Sequence, residues 1–127
     1  MPVLNTLTPV LWTEQFDETI SFYKEVLGFS VQERNDDWQW ALLEKDKIGM
    51  MISKPNAHEN FLKIGFTGSF YFKTDDVNQL WENLKDKAKI CYEIETFGWG
   101  MREFAIHDNN GYILQFGQPV DEISLEG

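Results

Sequence analysis

The sequence predicts an α+β fold built from two copies of one βαβββ unit. Three observations lead there. Residues 16–28 and 75–87 each carry the apolar spacing of an amphipathic helix. Each helix is followed by strand-like runs that end in a hairpin, at 38–54 and at 101–117. A shift of 64 positions lays the first hairpin's turn, 44–47, over the second's, 108–111, as expected of a repeated supersecondary unit.

The elements follow in order. Residues 6–12 (TLTPVLW) read as a first strand, with Pro9 marking an edge or a bulge. Asp17 is placed to cap a helix in which Phe16, Ile20, Tyr23 and Leu27 form one face. Gly28 takes the position just past its end. Residues 29–34, 38–44 and 48–53 are strand-like, separated by turns at 35–37 and 45–46. Residues 55–67 break the pattern and read as a linker. Residues 69–73 (SFYFK) form a short strand, and Thr74 or Asp75 caps a helix with Val77, Leu80, Trp81 and Leu84 as its stripe. Residues 91–96 and 101–107 are strands flanking Phe97-Gly98-Trp99-Gly100. Asp108-Asn109-Asn110-Gly111 is a hairpin turn, and residues 112–117 close the second copy. The chain is thus expected to be one domain over 1–127: module one at about 4–54, the linker, module two at about 68–118, and an acidic tail at 119–127.

Composition bounds the function. The chain has 127 residues, 43% of them hydrophobic, with five Trp, four Tyr and ten Phe, enough for a packed core. No apolar run reaches membrane-spanning length and no signal peptide is legible, so a cytoplasmic protein is expected. The net charge of −10 argues against nucleic acid, and Lys85, Lys87 and Lys89 read as a solvated helix end. The same acidity suits either a cationic ligand or simple solubility. Cys91 is the sole cysteine and reads as an ordinary strand residue. Asp75-Asp76 reads as a helix start, and His58 and His107 as surface or turn residues.

The βαβββ plan, met twice, resembles the vicinal oxygen chelate superfamily of glyoxalases, extradiol dioxygenases and bleomycin-resistance proteins. TISFYKEVLGFSV is similar to its first helix and second strand, and GMREFAIHDNNGYILQFG to its closing hairpin. The resemblance covers residues 4–119 and implies a mixed sheet curled around a cleft, with helices on the outer face. In metal-dependent members four side chains, one on each of four strands, hold a divalent ion. Counting along the motifs carries those positions onto Thr8, Met51, Ser69 and Gln115. None is a carboxylate or an imidazole, so the expected cofactor is none.

Turn parity then sorts the faces. If Glu44 faces Lys47, Trp40 lies opposite Met51 and Trp38 opposite Ser53. If Asp108 faces Gly111, Phe104 lies opposite Gln115 and Arg102 opposite Gly117. On that reading Thr8, Val10, Trp12, Trp38, Trp40, Met51, Ser53, Ser69, Tyr71, Arg102, Phe104, Ile113 and Gln115 line the cleft. Glu103 turns toward the helix, and His107 lies on the face opposite Gln115. The candidate ligand-binding residues are Trp12, Trp38, Trp40, Met51, Tyr71, Trp99, Arg102, Phe104 and Gln115, with Trp99 on a glycine-flanked loop able to close over a ligand. No catalytic residue is legible.

Three functions fit. The resemblance points first to its bleomycin-resistance branch: a metal-free, homodimeric protein that holds an aromatic, cationic small molecule by stacking and cation–π attraction. A glyoxalase-type lyase or isomerase would need displaced metal ligands. A non-catalytic dimeric interaction module would use its aromatics only to build an interface.

Overall fold

The computed structural model describes residues 3–55 and 69–123. The chain forms two compact units, Met1–Leu62 and Lys63–Gly127. Most of the expected linker, with His58, and the end of the tail lie outside the described residues.

The first unit holds a sheet in the order β1-β4-β3-β2, from Val10–Trp12 (β1), Ser30–Asn35 (β2), Trp40–Lys45 (β3) and Ile48–Ser53 (β4). β1 runs parallel to β4, and the other pairs are antiparallel. Helix α1 (Phe16–Ser21) continues as a π-helix over Phe22–Val26. Asp17 is not its cap. Gln15 occupies that place, and the start is held by Thr13 and Thr19, both buried. The Thr19 hydroxyl donates to the Gln15 carbonyl, and the Thr13 hydroxyl oxygen accepts from the Gln15 N–H. Gly28 sits at φ 80° past the helix end, where its freedom from a Cβ is needed. Arg34 on β2 ties the helix down by ion pairs to Asp17 and Asp36, with its guanidinium 5.1 Å from the Phe16 ring.

The second unit repeats this order as β5-β8-β7-β6, from Phe70–Lys73 (β5), Lys89–Thr96 (β6), Met101–His107 (β7) and Ile113–Pro119 (β8), with β5 parallel to β8. Helix α2 spans Val77–Leu84. Its N-cap is Asp76, one residue beyond the expected pair, and the carboxylate accepts from the Gln79 N–H at 3.1 Å. The buried amide of Gln118 secures the same end. It accepts from the Val77 N–H and donates to the Asp75 and Glu122 carbonyls.

Each sheet has one face against its helix. In the first, Leu11, Ala41, Leu43, Met50 and Ile52 are buried there with Phe16, Ile20 and Tyr23. In the second, Phe104 meets Trp81 edge-on and stacks on Phe116, while Ile106 and Leu114 complete the layer. Burial of the Leu, Ile, Met and Phe side chains among these, each worth about 1.5–3 kcal/mol, drives the packing of each unit.

The hairpins turn differently from expectation. In the first, Lys45 pairs with Ile48, so the turn is Asp46-Lys47, with Asp46 at φ 53°. The register slips by two and the faces stay as read: Trp40 pairs with Ser53, and Leu42 with Met51. In the second, the Asp108 N–H donates to the Tyr112 carbonyl, leaving Asn109, Asn110 and Gly111 as the loop, with Gly111 at φ 102°. One carboxylate oxygen of Asp108 accepts from the N–H groups of Asn110, Gly111 and Tyr112 at 2.8–2.9 Å. Here the register slips by one, and every side chain on β7 changes face. Phe104 pairs with Phe116, Ala105 with Gln115, Glu103 with Gly117 and Arg102 with Gln118.

Asp108→Ala should therefore lower the unfolding free energy by about 2 kcal/mol in urea denaturation, because three N–H groups lose one acceptor. Asp108→Asn, which keeps an oxygen in place, should cost less. An Asp108→Ala variant as stable as the wild type would show that the loop does not depend on this carboxylate.

Candidate functional site

The slip on β7 redistributes the candidate residues. Phe104 is fully buried beneath α2 and does not line the far face of its sheet. Arg102 also turns to the helix side, where its guanidinium donates to Asn78 Oδ1 at 2.7 Å and to Thr96 Oγ1 at 3.0 Å. Trp38 is not in a strand. It lies in the 36–39 turn, is 69% exposed, and its N–H donates to Asn35 Oδ1. Trp12 and Trp40 flank Ser53 on one rung of the first sheet, and Val10 and Leu42 flank Met51 on the next. These residues share the face turned away from α1. Thr8 precedes β1 as an irregular, half-buried residue.

The far face of the second sheet is the more polar one. Register places Tyr71, Gln115, Ala105 and Tyr92 on one rung and Lys73, Gly117 and Glu103 on the next. His107 shares this face with Gln115, contrary to the parity expected from the sequence. The Ser69 hydroxyl donates to Gln115 Oε1, and Gln115 Nε2 donates to the Tyr92 hydroxyl at 2.9 Å. Tyr92 meets Phe97 edge-on at 5.8 Å, and Phe97 stacks on Trp99 with centroids 4.6 Å apart and planes within 9°. Trp99 is 66% exposed, so the outer side of this stack faces solvent.

Glu103 belongs to this face although sequence parity turned it to the helix. It is 4% exposed, and its Oε2 has no hydrogen-bond partner among the described residues. The Tyr71 hydroxyl lies near enough to the carboxylate for Glu103 to bear on the phenol. Gly117 makes this approach possible, since a Cβ there would collide with the Tyr71 hydroxyl oxygen. Desolvation first, then the Glu103 hydrogen bond and charge, push the Tyr71 phenol well above the usual tyrosine range. Desolvation also raises Tyr92.

Tyr92, Phe97 and Gly117 are the residues that sequence reasoning passed over, and Glu103 is one it placed on the other face. The signal for Glu103 was the turn itself. A three-residue loop ending in glycine is a common hairpin connection, and counting Gly111 as a bulge restores the observed faces.

The donor set does not fit a resident divalent ion. Ser69 and Gln115 are engaged with each other, and the Gln115 amide is spent on Tyr92 as well. Met51 offers a thioether and Thr8 a hydroxyl, neither of them charged. No group of three or more His, Cys, Asp or Glu among the described residues is arranged to hold a metal.

A cavity of about 420 Å³ lies elsewhere, in the first unit, lined by Glu14, Asp17, Glu18, Arg34, Asp36 and their neighbours. Its cation is already paired with two carboxylates, and its one ring, Phe16, is covered by that cation. The arrangement fastens α1.

The raised phenols have a measurable consequence. In an alkaline titration followed by tyrosinate absorbance, Tyr71 and Tyr92 should ionise above the ordinary tyrosine value of about 10. In that window the unfolded chain releases its protons first, so stability should fall as pH rises. Gly117→Ala should displace Tyr71 and return one phenol toward the ordinary value. An unchanged titration curve would show that Tyr71 is not held against Glu103.

Comparison with known proteins agrees with this architecture. No curated protein sequence matches the chain. Among solved structures, a member of the Glyoxalase/bleomycin resistance protein/dioxygenase superfamily from Sphaerobacter thermophilus DSM 20745 superposes with a TM-score of 0.78 at 16% identity, over 91% of this chain and 98% of the other. TnmS3, an antibiotic binding protein from Streptomyces sp. CB03234, superposes with 0.75 at 16% identity over 94% and 98%. A lactoylglutathione lyase from Agrobacterium tumefaciens gives 0.68 at 14% identity over 93% and 96%. At these identities the likeness is one of fold. The family model Glyoxalase/Bleomycin resistance protein/Dioxygenase superfamily matches residues 4–116, and the chain belongs to that superfamily.

Proposed function

We propose that this protein binds a small aromatic, cationic molecule and holds it without chemical change, as a metal-free member of its superfamily. One observation carries the reading. Gln115 takes one of the four positions that the family resemblance assigns to metal ligands, and its amide links a polar cluster to the solvent-facing stack of Tyr92, Phe97 and Trp99. Flat aromatic surface with a few convergent polar groups is the profile of a ligand site. A net charge of −10 favours a cation. A neighbour of the same fold is described as an antibiotic binding protein, which supports a binding role.

The same reading makes the protein a cytoplasmic homodimer. The aliphatic side chains of Val3, Leu4 and Leu7 are exposed and would be covered by a second copy. Cys91 is a free, exposed thiol, which suits a reducing compartment. No described helix is long and apolar enough to cross a membrane.

Bleomycin is the first ligand to test. Titration should quench tryptophan fluorescence, with Trp99→Ala removing most of the signal, and should raise the melting temperature, because only the native state binds. Absence of quenching at high micromolar bleomycin removes that ligand. Elemental analysis of the purified protein should find less than stoichiometric zinc, nickel and manganese; one full equivalent would favour the lyase reading instead. Sedimentation equilibrium should give the mass of a dimer.

A further inference from the structure

We infer that Glu103 forms a subsite for a positively charged nitrogen of the ligand, an amine or amidinium group set behind the aromatic stack. The inference rests on the ligand-binding reading above and names the group that reading leaves open.

A buried carboxylate only accepts hydrogen bonds, and an oxygen left without a donor keeps its desolvation cost. Glu103 Oε2 is in that condition among the described residues. The surroundings choose the donor that would relieve it. Tyr71 brings one neutral hydroxyl near the carboxylate. Glu95 is the cross-strand partner of Glu103 on β6, so a second carboxylate shares this face. Lys73, the cation on the Glu103–Gly117 rung, has its Nζ 3.4 Å from Glu122 and is spent there. His107, four residues along β7 from Glu103, faces the Gly111 carbonyl with Nδ1 at 3.4 Å. Arg102 is turned to Asn78 and Thr96 on the opposite face. Two carboxylates therefore share a face whose nearby cations are engaged elsewhere. Such a place selects a cation over a neutral donor, since an ammonium adds a charge–charge attraction to the hydrogen bond that either donor makes with a carboxylate, and that attraction is least screened in a desolvated site.

The reach to the stack is short in the fold. Tyr92 lies on the rung next to Glu103, across Ala105, and carries Phe97 and Trp99 beyond it. A ring resting on the stack with a short arm ending in an ammonium matches that order.

The test compares naphthylmethylamine with naphthalenemethanol, the same ring bearing a cation or a neutral hydroxyl. Calorimetric titrations are run in about 0.15 M salt so that surface charge is screened. The wild type should bind the amine about tenfold more tightly than the alcohol. Glu103→Gln should erase the preference and leave the alcohol's affinity within about twofold. Glu103→Asp, which keeps the charge, should retain a preference; with the wild-type comparison it decides the matter even if the Gln variant does not fold. Equal binding of amine and alcohol by the wild type, or an unchanged ratio in a folded Glu103→Gln variant, overturns the subsite while leaving the ligand-binding reading standing. Binding of neither probe overturns that reading and the subsite with it.

Discussion

Asp108 gathers three consecutive backbone N–H groups onto one carboxylate oxygen and so closes a three-residue loop between β7 and β8. The second unit depends on that closure. With the loop at this length, Phe104, Ile106, Leu114 and Phe116 turn together against α2 and make its core. By the same alternation, Glu103, Gln115 and Gly117 turn together to the other face. Core and candidate site are two readings of one register, because side chains on paired strands cannot choose their faces independently.

The two sheets show how far the copies have diverged. Val10, Met51 and Leu42 on one rung of the first correspond to Tyr71, Gln115 and Ala105 on the matching rung of the second. The first copy places aliphatic and thioether groups where the second places a phenol and an amide. The first hairpin turns through Asp46 and Lys47, the second through Asn109, Asn110 and Gly111. The residue added to the second turn lets β8 follow a uniform repeat while β7 departs from it, so that Leu42 corresponds to Ala105 and not to Ile106.

Element types and their order were legible in the sequence because apolar periodicity and turn residues are local signals. The helix stripes of Ile20, Tyr23 and Leu27, and of Val77 and Leu84, are buried as their spacing required. Positions of caps and the ends of strands were less legible: Gln15 and Asp76 stand at the helix starts, and Trp38 falls in a turn before β3. The faces of β7 were misassigned for a specific reason. Asp-Asn-Asn-Gly is compatible with two loop lengths, and the choice is made by hydrogen bonds from Asn110, Gly111 and Tyr112 to Asp108, which spacing alone does not display. The aromatic stack was half visible. Trp99 stood out on its glycine-flanked loop, but its pairing with Phe97 and Tyr92 needed the bulges in β6 that turn Tyr92 to the far face.

Gly117 is the smallest residue on the polar face and sets its clearance. Tyr71 rests over the bare Cα, and no other residue type would leave room for the phenol to reach Glu103. The seating of Tyr71 is thus written at a position that contributes no side chain of its own to recognition. A relative with any larger residue there would have to swing the ring outward, exposing the acid to water. Two chains with the same acid and the same tyrosine could then differ in what they hold, through one backbone position that touches no ligand.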